Sequence, residues 1–343
     1  MERLLDTLFQ LVFDWLMRAR PGTWSHRLAD KLKQRATRFL TDAGNVGEFE
    51  DLSEHEKMLA DRVRVDTYAR GIRTHIRPGD VVVDLGTGTG ILAMLAARVA
   101  KHVYALDHSA VIDVARHIAR ANGVTNVEFI RTNSRKFMPA EKVDVILYEQ
   151  IGDELFDENM VENVSDLRDR ILKPSGRIVP DQFELYLEPV KLSDPWSVPF
   201  AWQMQLHGID FGCVRSLAQG SGGLPRRWDI RWMNPLEVDH LLCEPEPICR
   251  LDLSKARVAD LPTSLEASRR VTRAGRLDGL MLYVKVIFDD QIWFDTSRET
   301  LAPSWGNRLF RFPVRELAVG DELRIRVRMP DVRIVKGWQI ELD

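Results

Sequence analysis

The apolar positions change period twice between residues 81 and 107. Val81, Val82 and Val83 form a continuous β-branched run, the pattern of a strand buried on both faces. Asp84 closes the run, glycines follow at 86, 88 and 90, and Ile91–Val99 carries apolar residues at helical spacing. A second strand, His102–Leu106, ends in Asp107. The pattern predicts strand, tight glycine turn, helix and strand. The alternation continues with a helix over Val111–Asn122, strands over Val127–Ile130 and Val143–Tyr148, and a helix over Leu155–Leu172. The turn Lys173–Gly176 then leads into a strand over Arg177–Val179. Such βα alternation predicts a doubly wound parallel sheet, which binds ligands beyond the carboxyl ends of its strands, where Glu149 stands.

Upstream, residues 41–57 read as an acidic loop and His55–Ile72 as one helix with Asp61 and Arg64 on its polar side. Residues 1–19 place Leu4, Leu8, Val12 and Trp15 on one helical face. Pro21 and Gly22 break that helix, and Trp24–Leu40 predicts a second, basic one. Residues 1–43 are therefore expected to be a helical extension that docks on its own protein, with a partner-binding hairpin, a dimer contact or a lid as the other readings. After Pro180 the period shortens to two. Phe183–Leu187, Leu280–Phe288, Gln291–Asp295 and Glu322–Arg328 predict antiparallel strands. Within this half, residues 191–233 hold Trp196, Phe200, Trp202, Phe211, Trp228 and Trp232 in an otherwise loop-like stretch, which predicts a surface that buries against something.

Composition narrows the function classes. The 343 residues suffice for two cores, and a net charge of −3 gives no general pull towards nucleic acid. Cys213, Cys243 and Cys249 form neither a disulfide framework nor a metal-binding pair, which suits a reducing compartment. There is no basic leader and no apolar run long enough for a membrane span, so the expected location is cytoplasmic.

The glycine spacing selects the cofactor. A dinucleotide fingerprint needs a third glycine at the position of Ile91, which argues against a nicotinamide-dependent oxidoreductase. The pattern G-x-G-x-G directly after an acidic residue is the form used by S-adenosylmethionine enzymes. Asp107 then supplies a carboxylate for two ribose hydroxyls. A second constellation is YEQIGDELFDEN, in which a loop carries both Glu149 and Glu158. Two like charges facing one pocket repel unless a cation joins them, and a planar guanidinium is well shaped to do so. The other reading is a solvated acidic loop, since Asp153, Glu154 and Asp157 lie in the same stretch.

Several motifs fall in one order: MLADRVRVDTY at 58–68, VVVDLGTGTGIL at 81–92, Asp107, Glu149 to Glu158, LKPSGRIVPD at 172–181, and FDTSRETLAPSWGNRLF at 294–310. Together they resemble the protein arginine methyltransferases over roughly residues 45–330. The resemblance implies a Rossmann-like α/β domain over 44–180 that binds S-adenosyl-L-methionine, followed by an antiparallel β-barrel domain over 181–343. Pro180 would be the hinge between them and 191–233 a dimerisation arm, giving a homodimer. Arg64 would pair with the methionine carboxylate of the cofactor, and His55 and Met58 would line its pocket. Asp84, Gly86, Gly88, Asp107 and Ser134 would complete the cofactor site. Glu149 and Glu158 would be catalytic, clamping an arginine guanidinium, with S-adenosyl-L-homocysteine as the by-product and no metal.

The departures from that pattern fall on the acceptor side. Two tyrosines of the family correspond to Asn45 and Phe49, and two aromatic positions to Gln150 and Asp153. Ser304 replaces a histidine beside Trp305, so Asp61 is expected to lack the partner the family would give it. The acceptor is accordingly read as an arginine, either peptidyl or free, or another small guanidine. The runner-up is a non-catalytic binding or scaffold protein that keeps the methyltransferase fold.

Overall fold

The computed structural model describes residues 51–156, 158–197, 205–213, 230–302, 304–312 and 314–343. Residues 52–343 form one compact unit. The predicted N-terminal helices, Asn45 and Phe49 lie outside the described residues, as do Phe200, Trp202, Trp228 and Asp157.

Two helices open the unit, α1 over Leu52–Ala60 and α2 over Arg62–His75. The single helix expected over 55–72 is thus divided, and the expected loop is helical from Leu52 onward. Asp61 causes the break. Its backbone is extended, with ψ at 91°, and its carboxylate accepts from Arg64 N at 3.0 Å as the N-cap of α2. Asp61 is also fully buried, not on a polar face as its position in the amphipathic run suggested.

The parallel strands are β1 (Val81–Leu85), β2 (His102–Asp107), β3 (Val127–Arg131), β4 (Val143–Tyr148) and β5 (Leu172–Val179). Their order is β3-β2-β1-β4-β5, the doubly wound arrangement expected from the alternation. Helices α3 (Ile91–Ala97), α4 (Ile112–Ala121) and α5 (Met160–Ile171) connect them. Helix α5 begins five residues later than the apolar periodicity predicts. Leu155 and Asn159 have φ of 70° and 56°, which no α-helix tolerates, and Leu155 is fully buried beneath the loop. Between β4 and β5 the pairing jumps from Leu172 to Arg177, so the expected turn at Lys173–Gly176 sits inside the strand as an irregularity.

The second half is antiparallel and barrel-like. Its strands are β6 (Gln182–Leu192), β7 (Gln205–Leu206), β8 (Ile209–Asp210), β9 (Ile230–Met233), β10 (Val238–Leu241), β11 (Cys249–Asp252), β12 (Ser264–Arg270), β13 (Gly275–Leu277), β14 (Gly279–Ile287), β15 (Trp293–Asp295), β16 (Asn307–Phe310), β17 (Arg315–Leu317), β18 (Glu322–Arg328) and β19 (Gln339–Leu342). Strands β10-β6-β14-β16-β9 run side by side, with β11 on β6 and β15 on β14. One continuous core joins the two sheets, from Val82 and Ile146 through Phe183 and Leu282 to Trp338.

Helix α2 lies against both halves. Tyr68 donates to Tyr148 O at 3.2 Å in the parallel sheet and meets Phe288 edge-on at 5.0 Å in the antiparallel one. Gly71 makes this approach possible, because a Cβ there would stand 2.2 Å from the Phe288 ring. Among the described residues no helix is long and apolar enough to cross a membrane.

Candidate active site

Strand β1 is buried among β2 and β4, so Asp84 emerges at its carboxyl end already out of water. Gly86, Gly88 and Gly90 all take positive φ, which lets the backbone fold back on itself within five residues. Gly86 N and Thr87 N donate to Leu106 O at 2.9 Å, and Gly90 N to Thr87 O at 2.8 Å. Space over the loop is tight. A Cβ on Gly88 would lie 2.8 Å from His55 Cε1, and one on Gly86 would lie 3.1 Å from the Gln150 side chain.

Asp107 closes the loop from the end of β2. Its carboxylate accepts from Gly88 N at 2.9 Å, from Ser109 N at 2.8 Å and from the Ser109 hydroxyl at 2.7 Å. Asp84 accepts from the Thr87 hydroxyl at 2.6 Å through Oδ2, while its buried Oδ1 has no hydrogen-bond partner. Burial raises the Asp84 pKa to about 7, outweighing the Thr87 hydrogen bond that lowers it. An unpartnered, buried carboxylate oxygen facing a glycine cradle is the kind of group a ligand cation satisfies.

At the end of β4, directly across from β1, stands Glu149. The strand order reverses between β1 and β4, which is where doubly wound sheets open a crevice. Arg64, in the first turn of α2, forms a close ion pair with Glu149 through Nη2, and its guanidinium lies 5.2 Å from the centre of the Trp305 ring. Burial pushes the Glu149 pKa up to about 7; Arg64 opposes the rise, and Asp61 and Asp84 add to it. Asp61 in turn caps the helix that carries Arg64.

Ser304 corrects the expectation that Asp61 lacks a partner. Its hydroxyl donates to Asp61 Oδ2 at 2.5 Å and its backbone N at 3.2 Å. The serine is short, but the backbone brings it close enough to serve. From there the chain 304–308 runs along the loop that follows Glu149. Trp305 Nε1 donates to Ile151 O at 3.0 Å, Gly306 N to Asp153 Oδ1 at 3.0 Å, and Arg308 pairs closely with Glu154. Burial lifts the Asp153 pKa to about 6.

Contacts therefore bring together His55, Gly88 and Asp107, and beside them Arg64 and Glu149. Met58, on α1, and Glu158, on the loop before α5, are half-buried. Ser134 is buried on a short 3-10 turn after β3, where its carbonyl accepts from Arg170 Nη2 at 3.0 Å. Thr87, Ser109 and Arg308 are parts of this region that the pattern did not single out, and Gln150 and Ser304 stood out only as departures from the family pattern. Only Ser109 left a local signal, since a serine two residues after an aspartate is a common Asx-turn pair. Among the described residues no group of three or more His, Cys, Asp or Glu is placed to hold a metal ion.

Residues 76–195 match a family described as a methyltransferase domain, which spans the parallel sheet and β6. The chain is 33% identical over 239 residues to protein arginine N-methyltransferase 6 of Danio rerio, covering 67% of this chain and 66% of that one. It is 28% identical over 264 residues to protein arginine N-methyltransferase 8-B of the same organism, covering 75% and 61%. The chain thus spans about two thirds or less of the length of these curated relatives. The fold matches a structure of the Trypanosoma brucei PRMT1 enzyme–prozyme heterotetrameric complex with AdoHcy, with a TM-score of 0.71, 22% identity, and coverage of 86% and 93%. It also matches protein arginine methyltransferase 10 of Arabidopsis thaliana, with a TM-score of 0.67, 24% identity, and coverage of 87% and 93%. The order of motifs, the paired sheets and these relatives agree: the chain belongs to the protein arginine methyltransferase family.

Proposed function

We propose that this protein transfers a methyl group from S-adenosyl-L-methionine to a guanidino nitrogen of arginine, releasing S-adenosyl-L-homocysteine. One observation carries the reading: a buried glutamate at the switch point of the sheet, beside a glycine cradle, already holds a guanidinium, that of Arg64. The residues present suit the cofactor. Gly86 and Gly88 take positive φ and keep the turn bare of side chains where His55 and Gln150 approach it, and the unpartnered Oδ1 of Asp84 is a fit receptor for an ammonium group. Asp107 is the ribose ligand, Arg64 the partner of the methionine carboxylate, and His55, Met58 and Ser134 complete the lining.

When bound, the cofactor supplies an electrophilic methyl group on a sulfonium. The chain supplies the rest. Glu149 and Glu158 hold the acceptor guanidinium from two sides, which localises its positive charge on the held nitrogens and leaves a lone pair on the third. Holding that nitrogen in one orientation removes most of the entropic cost of the encounter. Methylation would leave the attacking nitrogen with one proton to lose, and a carboxylate of the clamp would accept it. Glu149, with its pKa near 7, is suited to accept it.

Residues 191–233 we assign to self-association as a homodimer. Trp196, Leu206 and Ile209 are 52%, 40% and 62% exposed, large apolar side chains that a second copy would bury. Sedimentation at micromolar concentration is expected to give twice the chain mass; a monomer would sink that assignment.

The test of the activity is radiolabelled methyl transfer to an arginine-containing peptide, to free L-arginine and to a lysine peptide at equal concentrations. Transfer to arginine and not to lysine is expected. A preference for the free amino acid indicates a closed pocket that reads its α-amino and α-carboxylate groups, and a preference for the peptide indicates an open groove. Labelling of lysine alone overturns the guanidinium clamp, and cofactor binding without transfer to any acceptor leaves the scaffold reading.

A further inference from the structure

The loop between Glu149 and Glu158 reverses direction at Leu155, whose φ of 70° is a conformation that a branched side chain adopts only when its surroundings impose it. Glu154 immediately precedes that residue, between the two glutamates. It is 6% exposed and closely paired with Arg308, which is 9% exposed and comes from β16 in the antiparallel half. Arg308 is itself held from behind. Trp232 lies directly opposite it on β9, and the guanidinium carbon sits 3.2 Å above the centre of the indole ring. Gly306 allows this stack, because a Cβ there would stand 2.9 Å from Trp232 Cε3. A planar, permanently charged group pressed between an indole face and a carboxylate has little freedom left. The two other ties from this segment reach Ile151 O and Asp153 Oδ1, upstream of the reversal.

We propose that Arg308 is a positioning residue for the acceptor loop: stacked on Trp232 and paired with Glu154, it fixes the reversal at Leu155 and thereby sets where Glu158 stands relative to Glu149. The inference rests on the arginine reading above and extends it, since it makes strand β9 of the antiparallel half part of the acceptor site. Arg308 touches neither cofactor nor acceptor. Its effect is on loop geometry, so it acts on turnover of the acceptor and leaves cofactor affinity alone.

Amide hydrogen exchange and kinetics on the full chain test this. In Arg308→Ala, amides of residues 150–158 are expected to exchange about tenfold faster, while those of β1 and β2 stay within about twofold of the parent. With an arginine peptide or free L-arginine, kcat falls about tenfold or more, and the Kd for S-adenosylhomocysteine by calorimetry stays within about twofold. Arg308→Lys keeps the charge but loses the planar fork and most of the stack, so it rescues only part of the loss. Trp232→Ala gives a smaller effect of the same kind, about threefold. Should Arg308→Ala fail to fold, the lysine and Trp232 variants carry the exchange measurement. Unchanged loop exchange in these variants overturns the inference, as does a loss of cofactor affinity in step with kcat. Glu149→Gln is run in parallel. If no form methylates arginine, the functional reading falls, whereas exchange still decides the role of Arg308.

Discussion

The glycine cradle and the acceptor loop lie side by side, yet they are held by contacts of different reach. In the cradle, Asp107 binds Ser109 two residues away and Gly88 nineteen away, and Asp84 binds Thr87 three away. All of these lie within one βαβ unit. The acceptor loop is held by Trp305 and Arg308 from about 150 residues downstream, and Arg64 reaches Glu149 across 85. The cradle's own bonds need only its own strands, with His55 reaching it from α1 and Arg64 standing beside it on α2. The acceptor site exists only once the antiparallel half has docked on α2 and the loop. On the proposed reading, a local opening of the interface between the halves would disturb acceptor recognition before cofactor binding.

The sharpest break of that symmetry is Glu149→Gln or Glu158→Gln. Each is expected to lower kcat about a thousandfold, roughly 4 kcal/mol of transition-state stabilisation, with S-adenosylhomocysteine affinity nearly intact. Full activity in both variants ends the clamp. On the other side, Asp107→Ala is expected to weaken cofactor binding by about 1.5–3 kcal/mol in calorimetry, since a charged acceptor is lost and Gly88 N loses its partner. An unchanged affinity would take the ribose assignment away from Asp107.

Next in size is the response to pH. Glu149 is raised to about 7, so below that value it takes up a proton and no longer attracts a guanidinium. The unprotonated form is the competent one, and kcat/KM is expected to rise about tenfold from pH 6 to pH 8 and then level off. A flat profile over that range would mean that Glu149 stays charged throughout. Smallest is Ser304→Ala, which strips a hydroxyl donor from the buried carboxylate of Asp61. It is expected to cost about 1 kcal/mol in denaturant unfolding and to lower acceptor turnover with no change in cofactor Kd. A cofactor defect there would erase the distinction between the two sites.

What could be read in advance follows the same division. Strands Val143–Tyr148 and Glu322–Arg328 have the predicted bounds, because continuous or alternating apolar runs state their burial directly. The glycine turn was equally legible, since positive φ at three alternate positions demands glycine. Asp61 was misread because a polar residue in an amphipathic run looks solvent-facing. Only the fold reveals that it ends one helix, starts another and is buried. Leu155 was misread for the converse reason: an apolar residue at helical spacing was spent on burial under a loop. The bond from Ser304 to Asp61 spans 243 residues, and no periodicity encodes a partner that far away.

The pair of Arg64 with Glu149 means that the protein carries a resident copy of the head group it is proposed to receive. In this structure the proposed receptor, Glu149, is already paired. An arriving guanidinium has to trade places or share, and a small spherical ion cannot reproduce the planar, two-pronged contact it would have to displace. On the proposed reading the acceptor therefore competes with Arg64 for Glu149, an exchange between groups of like shape.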